Sequence, residues 1–158
     1  MKTKYFVYYS IPVLIIGLLM FNIPQSLAAK SQLHKTLNGV DIYLGVLPAE
    51  IVRGHPKKHP ESRMHGGVPA GTLYHVILAL FDAKTGDRIQ DAKISAKVVG
   101  TAAVEITKPL DPMSIAGARS YGNYFKMLGQ IPQHLIVLEI TRPGMKGTIR
   151  TTFEWARP

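Results

Sequence analysis

LYHVILALFD, residues 73–82, is the stretch that decides the fold. It is apolar on both faces, short, and bounded by turn formers, with Gly71 before it and Lys84-Thr85-Gly86-Asp87 after it. A run of this kind reads as a central strand covered by a second sheet. Downstream, Ala92, Ile94, Ala96 and Val98 alternate with Lys93, Ser95, Lys97 and Val99, which predicts a second strand over 92–99. Asp82 and Gly86 supply turn chemistry for a hairpin-like connection between the two. A short strand is expected at 103–107. Residues 108–120 follow as a loop punctuated by Pro109, Pro112 and Gly117 and carrying Met113.

Strands are expected again at 121–128, 134–141 and 148–155. In the last of these Ile149, Thr151, Phe153 and Trp155 share one face. Upstream, residues 39–47 alternate Val40, Ile42, Leu44 and Val46, and Pro48 closes that strand. The pattern predicts an all-β, immunoglobulin-like antiparallel β-sandwich of about seven strands, with no helix of ordinary length. Its expected core is Val40, Ile42, Val76, Leu78, Leu80, Ile94, Val98, Ile136, Leu138, Phe153 and Trp155.

The chain opens with Lys2 and Lys4, an apolar run over 5–21, and then Ser26-Leu27-Ala28-Ala29. That order reads as a signal peptide over 1–28, cut after Ala28 or Ala29, ahead of a single domain over 29–158. An uncleaved N-terminal anchor is the alternative, and the only expected membrane attachment. Either way the domain is expected in the periplasm or outside the cell. There is no cysteine, so no disulfide, thiolate ligand or lipidated cysteine is available. The formal charge is +9, and loss of the leader lowers it by two. The basic residues are scattered and no nucleic-acid motif accompanies them, so nucleic acid is not an expected partner.

Chemistry concentrates just before the central strand, in RGHPKKHPESRMHGGVPAGTLYH, residues 53–75. Prolines 56, 60 and 69 and glycines 54, 66, 67 and 71 predict a long loop over 53–72. Four of the six histidines (55, 59, 65 and 75) fall in this stretch, with Met64 directly before His65. Imidazole nitrogens mixed with thioether sulfurs favour copper over zinc. The candidate ligands are Met64, His65, His75, Met113 and Met127. His75 is equally readable as a satisfied core residue, Met127 as a core filler, and His55 and His59, with lysines between them, as solvated loop. Metal binding through imidazole is expected to weaken below about pH 6.

Two resemblances add to this. D-x-x-T-G at 82–86, followed by the A-x-I-x-A alternation, resembles extracellular immunoglobulin-like modules over residues 73–99. Met113, Gly117, Tyr121, Gly122, Tyr124, Gly129 and the strand 134–140 resemble the C-terminal half of small periplasmic sandwich domains of the YtkA-like and FixH-like kind. Several of those sit near copper handling, so the resemblance implies an exported copper-binding protein acting in metal handling or delivery. The other reading is a non-catalytic interaction or assembly module, which presents loops or an edge strand to a secreted or inner-membrane protein partner. Tyr121, Tyr124 and Phe125 are then either interface anchors or core. No catalysis is expected: the carboxylates are not paired by spacing, Ser62 and Ser120 lack a nucleophile elbow, and the glycines at 66–71 lack the lysine and helix of a phosphate loop.

Overall fold

Two tight turns with left-handed backbone at both central residues set two of the hairpins of this chain. Asn38 (φ 50°) and Gly39 (φ 76°) join β1 (His34–Leu37) to β2 (Val40–Pro48), with Leu37 opposite Val40. Ala116 (φ 50°) and Gly117 (φ 79°) join β5 (Glu105–Ile115) to β6 (Ala118–Phe125), with Ile115 opposite Ala118. Positive φ at both positions is the turn geometry whose twist matches that of the flanking strands. The computed structural model describes residues 33–54, 65–100, 105–127 and 133–157. The expected leader, the histidines 55 and 59, and Met64 lie outside the described residues.

The remaining elements are a five-residue helix α1 (Ala49–Arg53), β3 (Tyr74–Asp82), β4 (Lys93–Val99), β7 (Gln133–Thr141) and β8 (Ile149–Ala156). All strand pairs are antiparallel, in the order β1-β2-β3-β6-β5-β4-β7-β8. β5 belongs to two layers. Its residues Glu105 to Leu110 face β4, and Asp111 to Ile115 face β6. At the far edges, the Lys35 Nζ of β1 donates to the Thr152 carbonyl of β8 at 2.6 Å and lies 5.1 Å from the centre of the Phe153 ring. The result is an all-β antiparallel sandwich that nearly closes into a barrel.

Three expectations change. β1 makes an eighth strand beside the seven read from the sequence. The expected loop over 108–120 is instead the β5–β6 hairpin, and Met113 stands on β5 opposite Ser120. Pro109 and Pro112 are tolerated because they flank the point where β5 exchanges one neighbour for the other, where an unbroken ladder of amides is not required. Finally, β3 and β4 do not form a hairpin; they pair with different neighbours, and residues 83–92 cross between the layers. Asp82 starts that crossing: its Oδ1 accepts the amides of Lys84 (2.9 Å) and Thr85 (3.0 Å). Those amide bonds, Thr85 first, hold the carboxyl below its ordinary pKa.

Every residue of the expected core is buried. The alternation of β8 is as read, with Ile149, Thr151, Phe153 and Trp155 inward and the intervening residues exposed. Tyr121 spans the core, and its hydroxyl accepts the Ala92 amide at 3.0 Å. Phe153 is fully buried, whereas Leu135 is 42 % exposed. Phe153→Ala should therefore cost about 3–5 kcal/mol, and Leu135→Ala no more than about 0.5 kcal/mol. Guanidinium unfolding of the two variants is the check; similar losses in both would contradict this packing.

Candidate metal centre

Alternation along β3 sends Tyr74, Val76, Leu78 and Leu80 into the core and His75, Ile77, Ala79 and Phe81 to the opposite, outer face. His75 nevertheless retains only 2 % of its exposure. The reason lies on β6, where Tyr124 stands opposite His75 in register and stacks on it, ring centres 4.5 Å apart and planes 23° from parallel. Two pairs along, on the same face, Gly122 stands between Ile77 of β3 and Asp111 of β5. A Cβ on Gly122 would lie 2.9 Å from His75 Nε2, 2.9 Å from Met113 Cε and 3.0 Å from the Val76 carbonyl. The missing side chain is thus the space into which an imidazole nitrogen and a thioether group converge from two neighbouring strands. Met113 is buried but lies outside the main hydrophobic cluster.

His65 arrives from the loop. Its backbone is left-handed (φ 55°), and Gly66 and Gly67 continue with φ of 80° and 108°, a sharp reversal that glycine makes easy. The loop is fastened by Arg53, whose Nη1 donates to the carbonyls of Pro69 at 2.8 Å and Gly71 at 3.3 Å. His65 Nε2 lies 3.4 Å from His75 Nε2, and its Nδ1 lies 3.2 Å from Asp111 Oδ2. Its ring also packs edge-on against Tyr124, 5.7 Å between centres.

Burial, and then the neighbouring His65, push the His75 pKa down to about 4. At neutral pH His75 therefore offers an uncharged imidazole. Two nitrogens 3.4 Å apart suit an N–H···N hydrogen bond. The same spacing suits two ligands each about 2.0–2.1 Å from one ion at a near-tetrahedral angle. Among the described residues, no group of three or more His, Asp or Glu side chains is arranged to hold a metal ion. A metal here would depend on the Met113 thioether beside the two imidazoles, a donor set that selects for soft ions.

Of the sequence candidates, the structure brings His65, His75 and Met113 together. Met127 packs in the core cluster, on the opposite side of β6 from Gly122 and Tyr124, and its carbonyl accepts Arg157 Nη2 at 2.9 Å. Tyr121 and Phe125 are core, while Tyr124 is the wall of the histidine pair. His34 stacks on Tyr43 at 4.2 Å, away from this group. Asp111 and the packing role of Gly122 are additions that the sequence reading did not make.

No family model matches the chain and no curated protein matches it by sequence, so neither supports the likeness to YtkA-like and FixH-like domains. Solved structures do match in fold. FetP from uropathogenic Escherichia coli, expressed in the periplasm, aligns with a TM-score of 0.61 at 17% identity, covering 80% of this chain and 93% of that one. A copper-bound variant of FetP aligns with a TM-score of 0.59 at 17% identity, over 78% and 93% of the two chains. The copper-reconstituted P19 protein from Campylobacter jejuni gives a TM-score of 0.59 at 14% identity, over 78% and 92%. At these identities the likeness is one of fold.

The depressed pKa of His75 has a consequence for stability. Above about pH 6.5 the ring is neutral in folded and unfolded chains alike. As pH falls towards 4 the unfolded chain takes up a proton that the folded site refuses, so stability present above pH 6.5 is lost, on the order of 2–3 kcal/mol in all. Unfolding of the metal-free protein at about pH 7 and pH 4, compared with His75→Gln, measures this. The variant should lose less stability on acidification, and an identical loss in both would contradict the burial of a neutral imidazole.

Proposed function

We propose that this chain is an exported, periplasmic copper-binding protein that holds one copper ion with the imidazoles of His65 and His75 and the thioether of Met113, and that it acts in copper handling or delivery. The observation that carries the reading is the convergence of His75 Nε2 and Met113 Cε over Gly122, with His65 Nε2 3.4 Å from His75 Nε2. Two imidazole nitrogens and one thioether sulfur make a better site for copper than for zinc or a hard cation. The fold supports the reading, because the solved structures that share it include copper-bound proteins. The leader expected over 1–28 supports export. Met64, next to His65 in the sequence, remains the proposed fourth donor. Met127, packed in the core, is not part of the proposal.

The site lies on the outer face of its sheet, with His65 as its cover from the loop side. Copper bound there is separated from the core by the sheet itself.

Anaerobic titration with Cu(I), and titration with Cu(II), of the unmodified protein should each show one ion per chain. His65→Ala and His75→Ala should each lower affinity at least about tenfold, since the ring is a direct ligand. Met113→Leu should weaken Cu(I) more than Cu(II). Gly122→Ala, which drives a methyl group between His75 and Met113, should weaken both. Because His75 stays neutral down to about pH 4, its share of the binding should survive below the pH 6 expected of an ordinary imidazole. Binding that is absent, or unchanged in all four variants, would favour the interaction-module reading. N-terminal sequencing of the exported product should begin at Ala29 or Lys30; a retained Met1 would mean an anchored domain.

A further inference from the structure

Asp111 is the first residue of β5 to pair with β6, and it stands in the same register row as Gly122, beside the histidine pair. Its carboxylate is half exposed, 52 %, while the His65 side chain it meets is only 7 % exposed. An exposed acid paired with histidine adds little to stability at a surface. What the contact does control is which nitrogen of His65 carries the proton. A neutral imidazole has two tautomers, and the hydrogen bond made by one nitrogen decides the state of the other. Here Nδ1 lies 3.2 Å from Asp111 Oδ2, and Nε2 lies 3.4 Å from His75 Nε2.

We infer that Asp111 is a positioning residue: by accepting the Nδ1–H of His65 it fixes that tautomer and leaves the Nε2 lone pair directed at His75 and the space above Gly122. The contact also anchors the loop side of the site to β5, across 46 positions of sequence. Together with the edge-on contacts to His75 and Tyr124, it fixes the ring of a residue whose own backbone is left-handed. A carboxylate behind a ligating histidine raises the basicity of the ring and fixes its orientation. The part of the inference that concerns affinity rests on the copper reading proposed above; the tautomer does not.

The test has two arms. In the first, nitrogen-15 spectra of the imidazoles in the metal-free protein at about pH 8 report the tautomer of His65. The unmodified protein and Asp111→Asn, whose amide oxygen still accepts, should show Nδ1–H; Asp111→Ala should move the ring towards Nε2–H. In the second, Asp111→Ala should lower copper affinity about 10–100-fold, and Asp111→Asn less, with circular dichroism and the unfolding midpoint little changed. A His65 ring that keeps Nδ1–H in Asp111→Ala, or an affinity that does not fall in that variant, overturns the inference. If the unmodified protein binds no copper, the metal reading fails alone, and the tautomer arm still decides for or against Asp111.

Discussion

β5 is shared by the two layers, and the handover between Leu110 and Asp111 governs both the closure of the sandwich and the make-up of the site. Up to Leu110 the strand completes the layer of β4, β7 and β8; from Asp111 it completes the layer of β1, β2, β3 and β6. Leu110 and Met113 are three residues apart, so they point to opposite faces, one into the core and the other outward over Gly122. Asp111 shares the outward face with Met113. Were β5 to slip by one residue against β6, the facing would invert and the outer side of the sheet beside Gly122 would receive different side chains. The two prolines that flank the junction also restrict the register in which β5 can pair, because neither can donate to a ladder.

The site is costly for the fold, and its cost has the same origin as its chemistry. A histidine on the outer face of a strand is ordinarily hydrated; His75 is covered by Tyr124 and His65 and loses that water. Desolvation disfavours the protonated ring, so the side chain is held in the form that can act as a ligand. Gly122 completes the arrangement by omission. Any side chain there would meet the histidine, the methionine and a backbone carbonyl at once. Core residues such as Phe153, Phe125 and Tyr121, all fully buried, supply the stability against which this desolvation is set.

Period-two alternation made β2, β4, β7 and β8 legible, and a short run apolar on both faces made β3 legible, together with every expected core residue, because strands write their burial directly into the sequence. β1 was short enough at four residues to escape that test, although Asn38-Gly39 is a strong hairpin signal. The β5–β6 hairpin was hidden for two physical reasons: prolines at 109 and 112 argue against a strand unless it changes partners, and alanine rarely takes the left-handed backbone that Ala116 adopts. Within the site, the alternation of β3 puts His75 on the outer face with Ile77 and Phe81. Of the two readings open for Met127, ligand or core filler, its place in the cluster with Tyr121 and Phe125 favours the core. The pairing of His75 with Tyr124 depends on β3 lying beside β6, and that of Asp111 with Gly122 on the hidden β5–β6 hairpin; neither neighbour relation leaves a periodic trace in the chain.

The central claim is that nitrogen from His65 and His75 and sulfur from Met113 meet at one copper ion. X-ray absorption at the copper edge of the loaded protein tests it most directly. The account predicts a first shell with about two nitrogen neighbours near 2.0 Å and a sulfur neighbour near 2.3 Å, the sulfur disappearing in Met113→Leu. A shell of nitrogen and oxygen alone in the unmodified protein, or a sulfur neighbour that persists in Met113→Leu, would contradict it.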